Sequence, residues 1–180
     1  MRTAQQARAK LAAAMQPSRS LLFYTLTATL PIIMIKVVLL AWPQMNRTSL
    51  TTLAVIGALT GFVGLGRLLY EMTLDIAGYP EFKLPIWSVF FLIIYLISAF
   101  AFLFFGLHVA APGRFFDGIG QTPRTAFLDS LYVSLCDYIA VPPDPSIALT
   151  AQGTRYLAVI QGVISLFINV VIITKFVNTF

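Results

Sequence analysis

One cysteine, Cys136, and one histidine, His108, stand in 180 residues. A single thiol excludes an internal disulfide framework and any cysteine-built metal site, and a single imidazole excludes a metal motif built on a histidine pair. Charge is scarce too. Asp, Glu, Lys and Arg make up 11% of the chain, against about a quarter in ordinary soluble domains. There is no Ser-His-Asp set, no pair of acids on one face of an apolar helix, and no glycine loop after a strand to cradle a phosphate. The glycine-spaced run GALTGFVGLG at 57–66 lies inside an apolar helical stretch and belongs to packing. No enzyme and no metal site are expected. What the chain has in excess is apolar surface, with 58% of its residues hydrophobic. A water-soluble fold of this length cannot cover so large a core, whereas a lipid-embedded one need not. The chain reads as one integral membrane domain.

The net charge of +5 does not form a nucleic-acid patch, because the basic residues are dispersed. Arg2, Arg8, Lys10 and Arg19 lie in the first twenty positions, which hold no acid. Beside a first span, that bias marks a cytoplasmic N-terminus and contact with anionic lipid. Residues 1–20 form a basic N-terminal segment, suited to the membrane surface or to a solvated tail. A secretory signal is not expected, since the apolar stretch after Arg19 is too long for its apolar core and no small-x-small cleavage site follows.

Four stretches are long and apolar enough to cross about 30 Å of hydrocarbon. They are 21–42, 51–70, 85–110 and 154–178. The first two, with a polar connection at 71–84, make a unit over 21–84; the unit 85–180 holds the rest. Between the last two spans, an apolar segment at about 125–141 is too short to cross as a helix, which suits a re-entrant or interfacial helix. The expected fold is therefore all-α: four transmembrane helices plus one short pore-type helix between the third and fourth. With both termini in the cytoplasm, inside segments carry seven bases (Arg2, Arg8, Lys10, Arg19, Arg67, Lys83, Lys175) and outside segments four (Arg47, Arg114, Arg124, Arg155). The short helix then enters from the outer side, alongside Asp117, Asp129, Asp137 and Asp144, an acidic vestibule that concentrates cations.

Gly57, Gly61 and Gly64 share a face of the second span, where they admit a close neighbouring backbone. On the fourth span Ala158, Gly162, Ser165 and Asn169 line one face, with Gln161 beside them; the stripe suits helix packing or a pore lining. Lys36 lies inside the first span, snorkelling to the outer headgroups or paired with a carboxylate such as Asp137. His108 ends the third span. A lone histidine there is of the type that ligates haem or a pigment, but no partner motif accompanies it and no cofactor is expected. Cys136 reads as a small apolar side chain.

The order of span, short helix, loop and span follows the pore module of potassium channels. AFLDSLYVSL at 126–135 resembles the pore helix of small bacterial two-helix channels, with Val133 where Phe is usual, and GTRYLAVIQGVISLFINVVIITKFV at 153–177 resembles the family's inner helix. The likeness covers roughly the last hundred residues. It implies a filter over 139–145, where Ile139, Ala140, Val141, Pro142, Pro143, Asp144 and Pro145 stand instead of the family's glycine-bearing signature. Only Val141 agrees. Proline locks φ near −65° and restricts its predecessor, so Pro142 and Pro143 cannot reproduce the filter's ladder of axial carbonyls. Asp137 and Asp144 flank this broken filter. There is no ladder of Arg or Lys for voltage sensing. Two functions remain open: an oligomeric, channel-like protein passing cations weakly or not at all, or a non-conducting accessory subunit of a larger membrane complex. For the latter, the aromatic third span offers a face to lipid, pigment or another subunit.

Overall fold

The computed structural model describes residues 45–77 and 87–177, together with Ile33, Ile35 and Lys36. The expected basic segment at 1–20 and nearly all of the first span at 21–42 lie outside the described residues. Four helices follow in order: α1 (Arg47–Ile76), α2 (Trp87–Ala110), α3 (Pro123–Ile139) and α4 (Gln152–Val177). Two short strands, β1 (Phe116–Asp117) and β2 (Ala148–Leu149), pair antiparallel with Phe116 opposite Leu149. Among the described residues, three helices are long and apolar enough to span a bilayer: α1, α2 and α4. α3 is not among them.

The helices satisfy their own hydroxyls. Hydroxyls inside them bond back to their own ladder four residues earlier: Thr51 to Arg47, Thr60 to Ile56, Ser98 to Ile94, Ser130 to Ala126 and Ser165 to Gln161. Each such hydroxyl carries its own acceptor, so it costs little in hydrocarbon. Asn46 caps α1, its Oδ1 accepting from the Ser49 amide at 2.8 Å. α1 extends past the boundary expected at residue 70: it continues through Glu71 to Ile76 instead of opening a polar connection. The reason is an i,i+4 pair in which Arg67 Nε donates to Glu71 Oε1 at 2.8 Å, leaving Glu71 buried.

α2 is the central post. Some 61% of its apolar window is buried, against 39% for α1 and 22% for α4. Its aromatic residues pack inward. Phe102 and Phe105 both meet Phe127 of α3, with centroids 5.1 and 5.5 Å apart, Phe104 meets Phe116 of β1 at 5.6 Å, and Phe100 meets Phe62 of α1 at 5.2 Å. Most of the third span's aromatic face is thus covered by the chain itself; Phe90 stays exposed. The expectation that this face seats an outside partner is corrected accordingly. The large exposed apolar face belongs to α4 instead, through Tyr156, Val159, Val163, Leu166, Phe167 and Ile173.

Against α2 runs the glycine seam of α1. A Cβ on Gly57 would fall 2.6 Å from the Phe102 ring, on Gly61 2.7 Å from Ala99 Cβ, and on Gly64 2.7 Å from the Tyr95 ring. The absence of side chains sets the distance between these helices.

Candidate functional site

α3 begins where Thr122 caps it, its hydroxyl accepting from the Thr125 amide, with Pro123 in the first turn. Proline is preset for that position and its missing N–H is no loss there. One face of α3 is buried through Ala126, Phe127, Ser130, Val133, Ser134 and Cys136, while Leu128, Tyr132, Leu135 and Ile139 are exposed. The contacts of Phe127 with Phe102 and Phe105 and of Ser134 with Ile97 show that α3 runs antiparallel to α2.

α3 stops at Ala140, in the left-handed region at φ 55° and ψ 36°. The Ala140 amide donates to Asp137 O and the Val141 amide to Cys136 O. These two bonds form a Schellman closure, usually made by glycine. Beyond it the chain turns back. Asp144 Oδ1 accepts from the Ser146 amide at 2.8 Å, and the Ile147 amide donates to Asp144 O at 2.8 Å. Pro145 occupies the turn position for which its φ is preset. β2 then pairs with β1, and the hydroxyls of Thr150 and Thr154 donate to the carbonyls of Arg114 and Phe115. A Cβ on Gly118, which has φ 76°, would overlap the Ser146 carbonyl, so the two loops touch backbone to backbone. The segment leaving α3 therefore returns to the end of α2 from which it came.

A polar clamp joins α2, α3 and α4 at depth. Ser134 Oγ donates to Ile97 O of α2 at 2.9 Å. Gln161 of α4, wholly buried, donates through Nε2 to Ser134 O at 2.7 Å and to Ser134 Oγ at 2.8 Å. Further along, Tyr138 donates to Asn169 Oδ1 at 3.1 Å. Since 134 meets 161 and 138 meets 169, α3 and α4 run parallel.

The sequence candidates fall into three groups. Asp137, Ser165 and Asn169 lie on or beside the α3–α4 seam. Asp137 Oδ2 is buried with no hydrogen-bond partner, and burial pushes this carboxyl up to about 6. Val141, Pro142 and Asp144 are exposed on the returning loop and Pro143 is half-buried. Hydrogen bonds from the Ser146 hydroxyl and amide hold the Asp144 carboxyl below the usual carboxylate range. Gly162 stands apart: among the described residues nothing lies within 4 Å of where its Cβ would be, so it makes no close helix contact with them. Lys36 is helical and exposed and makes no ion pair with Asp137. Cys136 is buried. His108 is buried, with Nδ1 unpartnered. Among the described residues no group of three or more His, Cys, Asp or Glu side chains could hold a metal ion.

No protein-family model, curated protein or solved structure matches this chain.

Two elements of the site escape sequence reading. Ser134 looks like one more small residue in an apolar helix; only its alignment with Gln161 reveals the clamp. Arg47, read as a loop base, opens α1 and spans to α2, donating through Nε and Nη2 to Val109 O and Ala110 O, both at 2.6 Å. No sequence signal marks that bond.

Proposed function

We propose that this chain is a channel-type pore scaffold that does not select potassium: a weakly cation-selective or closed pore module. The observation that carries the reading is the α3 hairpin. A 17-residue helix of about 26 Å runs antiparallel to one apolar helix and parallel to the next, and its exit strand returns to its starting end. In a bilayer this is a re-entrant element between α2 and α4, with 21–42 supplying a fourth span. The loop in the filter position supports loss of selectivity. Its Asp144 is folded onto Ser146 in a proline turn, an arrangement that presents no ladder of carbonyls. The charge bias of the loops favours a cytoplasmic membrane with both termini cytoplasmic.

The second reading, an accessory subunit of a larger membrane complex, draws on α4. Its outward face is apolar and the least covered of the three long helices. Stoichiometry and flux separate the readings. Native mass spectrometry of gently extracted protein, followed by potassium and sodium flux in liposomes, is the test. A homotetramer whose sodium and potassium fluxes are similar, and are lowered by Asp144→Asn, supports the pore. A single copy bound to unrelated subunits, with no flux, sinks it.

A further inference from the structure

We propose that Asp137 is a proton-binding site that seats the foot of α3, and that loss of the proton releases this end of the helix towards water. Position 137 lies between the two bonds that tie α3 to α4: Gln161 to Ser134 before it, and Tyr138 to Asn169 after it. Two buried acceptors here have no donor among the described residues, Asp137 Oδ2 and Gln161 Oε1. Gln161 is wholly buried and its amide nitrogen is already engaged by Ser134. A carboxylate brings acceptors alone, whereas a protonated carboxyl brings an O–H donor. Binding a proton therefore removes a buried charge and supplies the kind of group this interior lacks. The ligand needs no cavity, and residue 137 as a whole is half-buried, within reach of a proton.

The described neighbours offer no cation in its place. On α3 the ionisable side chains nearby are Tyr132, Cys136 and Tyr138. The α4 face presents Gln161, Ser165 and Asn169, none of which ionises. Over residues 90–97 of α2, which meet the foot of α3, the one ionisable side chain is Tyr95, lying against Gly64 of α1. Arg67 of α1 is paired with Glu71, Lys36 is exposed, and the nearby Asp144 carries the same sign as Asp137. Burial alone raises the Asp137 carboxyl, to about 6. The helix also ends here: Ala140 stands at φ 55° and residues 139–142 are exposed, so the last turn opens without unpacking another element. The proton is held in the seated state, and release returns the carboxyl towards its ordinary 3.8. Linkage then shifts the equilibrium about tenfold towards release between pH 5 and pH 7. The device operates whether or not the module conducts.

The native Cys136, buried next to Asp137 in α3, reports the release. The full chain in neutral detergent is treated with a small methanethiosulfonate between pH 5 and pH 7. Rates are divided by those of the exposed Ala77→Cys in a Cys136→Ser background, which removes the intrinsic pH dependence of a thiol. The normalised Cys136 rate is expected to rise about tenfold over this range. In Asp137→Asn, whose neutral amide carries donors, it is expected to stay at the low-pH value. A flat wild-type profile overturns the proposal. So does a rise in Asp137→Asn equal to that of the wild type, or a high rate at every pH in that variant. Hydrogen exchange of the wild type, corrected for its intrinsic pH dependence, covers the case in which Asp137→Asn does not fold. Residues 134–141 exchanging ahead of α2, and faster as pH rises, support release of the helix foot. No acceleration, or exchange only as fast as that of α2, overturns it.

Discussion

Ala140 and Asp137 lie three residues apart at the foot of α3, and each is held in a state its chemistry resists. Ala140 sits at φ 55°, where its Cβ crowds the following carbonyl at a cost of about 1–2 kcal/mol. Glycine removes that clash but loses more entropy on folding. Ala140→Gly is therefore expected to stabilise the protein by about 0.5–1 kcal/mol, read as a later midpoint in denaturation by sodium dodecyl sulfate. Asp137 is disfavoured as a carboxylate because burial pushes its pKa up to about 6. The ordinary value of an aspartate is 3.8, so between the two pH values the folded state holds a proton that the unfolded state has released. Folding stability is then full below pH 4 and falls as pH rises through 6. Discounted for partial exposure, the loss is about 1 kcal/mol. Asp137→Asn should abolish that loss: the midpoint difference between variant and wild type should widen in the variant's favour from pH 4 to pH 7. A constant difference would mean that Asp137 does not titrate in this window.

Helix contacts in this chain divide into a seam closed by missing side chains and a seam closed by polar ones. Along α1 and α2, Gly61 faces Ala99 so closely that even a methyl would fall 2.9 Å from its Cα. Gly61→Ala must push the helices apart and should cost about 1–3 kcal/mol. Gly162→Ala, with open space at its Cβ, should be neutral or gain up to about 1 kcal/mol from helix propensity. Comparing the two by chemical unfolding tests whether the glycine spacing acts through packing. Along α3 and α4, Ser134 and Gln161 share two hydrogen bonds. A double-mutant cycle of Ser134→Ala and Gln161→Ala should return a coupling of about 0.6–1.7 kcal/mol. Much at this scale was legible beforehand. α2, α3 and α4 lie within two residues of the stretches expected for them, because apolar run length carries that information directly. The end of α1 was not, because Glu71 reads as a loop acid unless Arg67 is seen to pair with it. The glycine seam was legible as a face; the partner it meets was not, since apolar helices carry no address. The clamp was illegible for the same reason, and Ala140 carried no glycine to announce the turn it makes.

For the whole molecule, the membrane topology hangs on whether α3 crosses. Arg47, the end of α2, the capped start of α3 and the β1–β2 pair all gather at one end of the bundle. The ends of α1 and α4 reach the other. If α3 spanned, the chain from Ile139 to Ala148 would have to recross the hydrocarbon as extended, unpaired backbone for Ala148 to pair with Asp117. Length argues the same way, because about 26 Å of helix does not cover about 30 Å of hydrocarbon. Single cysteines in a Cys136→Ser background make this measurable with a membrane-impermeant maleimide. Pro112→Cys and Ala148→Cys, both at exposed positions, should label from one face of sealed vesicles. Ala77→Cys, just past α1, should label from the opposite face. Ile139→Cys, at the foot of α3, decides between the arrangements. In a re-entrant helix it stays in the membrane and is not reached from the Ala77 side. If it labels there as fast as Ala77→Cys, α3 crosses, Ala148 cannot return to β1, and the pore-scaffold reading falls with it.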